Sequence, residues 1–178
     1  MSMKKCSLLG LGFIFFASFA FAAGDAKICF EAESAVRVEF PLKVTAKKDK
    51  DISGGSYIEI PWDPDKKYAG RGEAVYRFTV EEPGLYYLWA RTWWANGCGN
   101  SIEIQIDNYP KAMLGEDGTY DRWHWVDAKG VKFNLSKGEH TLKLLNRESG
   151  VRVDQIFLTQ DRDYVPVKIR PVTQKRGV

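Results

Sequence analysis

Two glutamates stand two residues apart in Phe30-Glu31-Ala32-Glu33, and a lone aspartate, Asp154, interrupts the apolar run Val151-Arg152-Val153-Asp154-Gln155-Ile156. On an extended strand, residues i and i+2 share a face. Glu31 and Glu33 therefore repel each other unless a cation or a basic side chain lies between them. Calcium takes roughly six to eight hard oxygen ligands, so two glutamates, one aspartate and some backbone carbonyls suffice to hold it. Asp154 falls on the strand face of Ile156 and Leu158, where a charge needs a partner. The three acids read equally well as a solvated face paired with Arg152 or Arg37. Spacing alone leaves both open.

The second group is aromatic: Trp62, Trp89, Trp93, Trp94, Trp123 and Trp125. A buried indole N–H needs an acceptor, so six such rings are too many for one core. Flat rings stack on the C–H faces of sugars, while amides and charged groups take the hydroxyls. Tyr57 follows Gly54-Gly55, and Asn146-Arg147-Glu148-Ser149-Gly150 makes a polar connection between two apolar runs. Trp89, in mid-strand, is the strongest core candidate, with Arg91 on its face arguing the other way.

Catalytic constellations are missing. There is no Gly-rich phosphate loop, no His-Glu-x-x-His and no nucleophile elbow. His124 and His140 are the two histidines, and the cysteines lack close metal-ligand spacing. A formal net charge of +3 over 178 residues argues against a dedicated nucleic-acid binder.

The elements that must position these residues read as strands. Alternation of period two runs through 27–33, 36–40, 56–60, 74–80, 85–94, 101–106, 123–126, 131–135, 140–145 and 151–158, in Val-, Ile-, Tyr-, Phe- and Trp-rich segments. Turn chemistry separates them at Ser53-Gly54-Gly55, Glu82-Pro83-Gly84, Asn96-Gly97-Cys98-Gly99-Asn100, Glu116-Asp117-Gly118 and Lys137-Gly138. No dozen residues sustain a helical apolar stripe. The pattern predicts one all-β domain over 24–164, an antiparallel sandwich or jelly roll. In the strand at 140–145, His140, Leu142 and Leu144 form the more apolar face and are expected to meet the core, with His140 half-exposed at its entrance.

Residues 1–23 form an address. Lys4 and Lys5 precede an apolar run over 8–21 that ends in Ala22-Ala23, the pattern of a cleaved secretory signal peptide. This predicts a secreted, periplasmic or cell-surface protein with no stable membrane insertion. Cys29 and Cys98 then enter a compartment that permits oxidation. A bridge between them would add about 4 kcal/mol in the chain-entropy model, and two separate thiols are the alternative. The end, 165–178, carries Lys168, Arg170, Lys175 and Arg176 without an acid and reads as a solvated, flexible tail.

The order of these segments carries a resemblance. Phe30-Glu31-Ala32-Glu33, Ser53-Gly54-Gly55-Ser56-Tyr57-Ile58, Phe78-Thr79-Val80 with Pro83-Gly84-Leu85-Tyr86, Gly138-Glu139-His140-Thr141-Leu142 and Val153-Asp154-Gln155-Ile156 follow one another over about residues 27–160. This resembles the galactose-binding-like β-sandwich of family 6 and family 35 carbohydrate-binding modules. The resemblance implies a jelly roll that binds an oligo- or polysaccharide without cleaving it. It also implies a structural calcium, with Glu31, Glu33 and Asp154 at the acidic ligand positions. A loop-end cleft would hold the sugar between Tyr57, Trp123 and Asn146, with Trp125 able to replace Trp123. Trp94, beside Trp93, would form another wall, and Arg147 and Glu148 would add charge. Such modules usually accompany a glycoside hydrolase domain, for which this chain has no room. An adhesion or assembly subunit that recognises another extracytoplasmic protein is therefore the alternative.

Overall fold

The computed structural model describes residues 26–174. The expected signal peptide and the last four residues lie outside them. The strands are β1 (Lys27–Glu31), β2 (Arg37–Val38), β3 (Lys43–Ala46), β4 (Ser56–Ile60), β5 (Glu73–Val80), β6 (Gly84–Trp94), β7 (Ser101–Ile106), β8 (Ala112–Gly115), β9 (His124–Asp127), β10 (Phe133–Leu135), β11 (Gly138–Leu145) and β12 (Val151–Thr159). A seven-stranded sheet runs β10-β6-β12-β4-β3, with β1 added beside β12 and β9 beside β6. A five-stranded sheet runs β2-β5-β11-β7-β8. Every pairing is antiparallel. The architecture is the two-sheet sandwich that the alternation predicts. Among the described residues no helix is long and apolar enough to cross a membrane.

Alternation decides what fills the space between the sheets. In β6, Tyr86, Leu88, Ala90, Thr92 and Trp94 point inward and are buried. They meet Tyr76 and Phe78 of β5, Ile102, Ile104 and Ile106 of β7, and Leu142 and Leu144 of β11. Full burial of each such apolar side chain stabilises the fold by roughly 1.5–3 kcal/mol. His140 shares the core face with Leu142 as expected, but it is buried and not half-exposed, its ring lying against Phe78.

The same parity corrects two expectations. Trp94, expected as a wall of the cleft, has no exposed surface and belongs to the core. Trp89 has the opposite parity and stands half-buried on the outer face of the large sheet, with Arg91 and Trp93. The disulfide does not form: Cys29 is buried in β1, Cys98 is exposed in the β6–β7 turn, and both are free thiols.

A bulge in β12 sets the position of Asp154. The register against β6 shifts between Val153 and Gln155. Val153 is buried in the core before the shift and Ile156 after it, so Asp154 is the extra residue. It leaves the core face and takes Arg91 and the Ser53 amide as partners, at 2.6 and 2.9 Å. A charge that strict alternation would place on the core face is thereby paired outside the core.

The end of the chain departs from the expected solvated tail. Through residue 174 it crosses the outer face of the large sheet at Trp125 and Gln155 to the edge of β1, where the Gln174 side chain also pairs with the Thr79 backbone of β5. Lys168 accepts a hydrogen bond from the Trp125 indole at 2.7 Å. Gln155 brackets Arg170, and the Thr173 and Gln174 amides donate to the Cys29 carbonyl at 2.9 and 3.1 Å. Buried backbone acceptors and a polar, buried Gln155 give this segment partners that composition alone does not reveal.

Candidate functional site

The expected three-residue cleft divides into two depressions. One lies at a loop end, about 450 Å³ in volume, between the β4–β5 loop, the β6–β7 turn and the β11–β12 connection. Asn146 closes β11 here and is buried, with 6% exposure. Its Nδ2 donates to the Tyr68 carbonyl at 2.7 Å and ties down the β4–β5 loop, while its Oδ1 is buried without a protein partner. Arg147 and Glu148 line the same depression. Their charges are spent locally: Glu148 accepts from the Asn100 amide and Ser101 hydroxyl, and Arg147 bridges Glu148 and Glu116.

Exposed rings border this depression, and the sequence reading did not select them. Tyr68 lines it at 37% exposure, with Phe40 packed edge-on against its ring. Trp62 is 51% exposed, between the lining residues Pro61 and Asp63. Its ring lies on the backbone at Gly150, where a Cβ would come within 2.8 Å of Trp62 Cε3. Gly150 therefore supplies the flat bed that holds an indole open to solvent. The Pro-Trp-Asp-Pro segment carries no periodicity, but a Trp flanked by prolines in a loop is itself a signal.

The second depression, about 440 Å³, lies on the outer face of the large sheet. Tyr57 from β4, Trp93 and Arg91 from β6, Arg152 from β12 and Trp123 just before β9 line it. Tyr57 is only 4% exposed and meets Trp123 edge-on at 5.6 Å. Arg152 lies 4.2 Å over Trp93 and Arg91 5.3 Å from Trp123, so guanidinium groups already cover these rings. Tyr57 and Trp123 thus come together as expected, but Asn146 is not with them. The physical reason is direction: Tyr57 points outward from mid-sheet, while Asn146 sits at the sandwich end. Trp125 belongs to neither depression, since its ring packs on Phe157 and its N–H is taken by Lys168.

The acidic residues gather under the Ser53-Gly54 turn. Glu31 ends β1, and Glu33 follows in a 3-10 turn (Ala32–Ser34), not on one continuous strand. Glu31 Oε1 accepts from the Ser53 hydroxyl at 2.6 Å. Glu31 Oε2 and Glu33 Oε2 are buried without a partner. Gly54 is what allows the approach: a Cβ there would stand 2.5 Å from Glu33 Oε1. Burial, then the charges of Glu31 and Asp154, push the Glu33 carboxyl up to about 7. Burial also raises Glu31, against the pull of Ser53, Gln155 and Arg91. Asp154 rises to about 6 through burial, opposed by Arg91 and the Ser53 amide. Each of its two oxygens accepts a hydrogen bond from one of those groups. Among the described residues no three His, Cys, Asp or Glu side chains converge as a ready metal cluster. What remains is two glutamates with one orphan oxygen each, a donor set suited to a hard cation.

No family model and no curated protein matches this chain in sequence. Solved structures do. A family 6 carbohydrate-binding module from the marine laminarinase of Zobellia galactanivorans superposes with a TM-score of 0.56 at 16% identity, covering 75% of this chain and 99% of that one. The fold is that of the family 6 and family 35 carbohydrate-binding modules. A module from Cellvibrio mixtus lichenase 5A, solved with cellotriose, agrees at 0.54 and 19% identity over 77% of this chain and 98% of that one. A Podospora anserina mannanase of the GH26-CBM35 type gives 0.57 at 21% identity over 83% of this chain. This chain spans only 29% of that mannanase, whereas it spans nearly all of the two isolated modules. At these identities the likeness is one of fold.

Proposed function

We propose that this protein is an exported, non-catalytic carbohydrate-binding module whose saccharide site is the loop-end depression at Asn146. The observation that carries this reading is that Asn146 and the solvent-open Tyr68 ring line one depression, with the exposed Trp62 ring beside its rim in the same β4–β5 loop. Rings supply stacking surface and the amide orients hydroxyls. Neighbours that match over nearly their whole length are themselves binding modules, one of them solved with cellotriose. Export rests on the Lys4-Lys5 and apolar pattern of the first 23 residues.

The same reading includes a structural calcium. Glu31 and Glu33 would hold it through their unpartnered oxygens, with Asp154 behind them fixing Ser53. When bound, the ion supplies charge that offsets the mutual repulsion of two buried carboxylates.

A glycan array probed with the purified protein tests the function. Binding to a saccharide class supports it. Silence across the array favours the second reading, an assembly subunit that meets protein through the exposed Phe40–Tyr68 pair and Trp62.

A further inference from the structure

The strap over residues 165–174 is held where it meets the acidic turn, and one residue makes the connection. Gln155 is fully buried on the outer side of β12. Its Oε1 accepts the Arg170 amide hydrogen and its Nε2 donates to the Arg170 carbonyl, each at 2.9 Å. The same Nε2 donates to the Ser53 hydroxyl oxygen at 3.0 Å. Ser53 in turn donates its hydroxyl hydrogen to Glu31 Oε1 at 2.6 Å. Two residues before Glu31 on β1, Cys29 takes the other end of the strap: its carbonyl accepts from Thr173 and Gln174, and its amide donates to Thr173 Oγ1 at 2.8 Å.

We propose that the cation site at Glu31 and Glu33 governs the docking of this strap, through Ser53 and Gln155. The inference rests on the calcium reading above. The direction of the hydrogen bonds supplies the coupling. A carboxylate held by an ion can only accept, so it fixes the Ser53 hydroxyl hydrogen toward Glu31. The Ser53 oxygen then offers a lone pair to Gln155, and this selects the amide orientation in which Nε2 faces Ser53 and Oε1 faces the Arg170 N–H. An amide turned the other way sets donor against donor and acceptor against acceptor at Arg170, and both strap bonds are lost. Without the ion, Glu31 is free to turn its charge toward water, Ser53 loses its fixed acceptor and Gln155 loses its orientation. The strap is thus a reporter of occupancy: docked over Trp125 and Cys29 when the ion is bound, open when it is absent.

Amide hydrogen exchange at Arg170, Thr173 and Gln174 reads the strap directly, because those three N–H groups make its backbone bonds. The full chain is compared in calcium chloride and in chelator, with calcium binding measured separately by calorimetry. Chelator is expected to speed exchange at these amides by roughly tenfold or more, within the usual range of coupling between sites. Ser53→Ala keeps both glutamates but removes the hydroxyl that holds Glu31, so it is compared at a calcium concentration that calorimetry shows to saturate it. In that variant the strap amides exchange at one rate with or without calcium. Gln155→Ala, which keeps the Ser53–Glu31 bond, gives the same insensitivity by a second route. Calcium binding with unchanged strap exchange overturns the coupling and leaves the calcium reading intact, as does a chelator effect that persists in both variants. An absence of calcium binding in the parent overturns the calcium reading, and the coupling with it.

Discussion

The side-chain amide of Asn146 reaches from the end of β11 across 2.7 Å to the backbone carbonyl of Tyr68. That single bond joins the β11–β12 connection to the β4–β5 loop, the two walls of the loop-end depression. The Asn146 amide hydrogen donates to Gly72 at 3.3 Å and reinforces the junction.

Asn146→Ala removes the tie to Tyr68 and leaves a carbonyl without its donor. A net loss of about 1 kcal/mol in unfolding free energy is expected. The larger change is local, with limited proteolysis within 61–72 speeding up while cleavage elsewhere stays slow. Uniform sensitivity across the chain would show that the bond serves the whole fold and not this loop.

Calcium should stabilise the folded chain by mass action, because only the folded state buries Glu31 and Glu33 under the Ser53-Gly54 turn with fixed oxygens. Thermal unfolding of the parent is expected to move down on adding chelator. Glu33→Gln, which removes one charged ligand and the like-charge repulsion, should unfold at a temperature that chelator does not change. An unchanged midpoint in the parent would count against the ion.

The His140 ring stands between two acceptors, Asp107 Oδ2 at 2.6 Å from Nδ1 and the Ser136 carbonyl at 2.8 Å from Nε2. Burial pulls its pKa down, but the Asp107 hydrogen bond, the Ser136 carbonyl and the Asp107 charge outweigh it, so the net shift is upward. A raised histidine pKa means stabilisation that is complete below the unfolded value near 6.5. It is lost as pH rises through the folded value. Denaturant unfolding of the parent should therefore weaken from slightly acid toward alkaline pH. Asp107→Asn should reduce that slope, leaving the part set by the buried Glu33 carboxyl, while keeping the turn, since Asn also accepts the positive φ of 44° found at Asp107. A parent profile that is flat or that rises with pH through this range would contradict the assignment.

Much of the fold is legible because inward and outward residues alternate cleanly. The segments at 56–60 and 101–106 coincide with β4 and β7. β3 was not legible, because Lys43–Ala46 is an edge strand with both faces largely exposed and no apolar period. The bulge at Asp154 was not legible either, since one extra residue inverts the faces of everything after it. For the site, Tyr57 and Trp123 do meet, and Asn146, Arg147 and Glu148 do line one depression. That these are two places and not one depends on how far along each strand a residue sits, which periodicity does not encode. Trp62 and Tyr68 escaped because their loop has no pattern, only composition. The docked strap escaped because its partners are a buried glutamine and backbone groups.

Saccharide titration of three proteins, using the strongest hit from the array, separates the loop-end depression from the outer sheet face as the binding site. The parent, Trp62→Ala and Trp123→Ala are compared by calorimetry, each with its unfolding midpoint measured. Trp62→Ala is expected to weaken binding about tenfold or more, which corresponds to about 1.4 kcal/mol of lost stacking, with little change in midpoint because the ring is half in solvent. Trp123→Ala should bind within a few-fold of the parent. Loss of binding in Trp123→Ala with normal binding in Trp62→Ala would place the site on the outer sheet face and contradict the loop-end assignment.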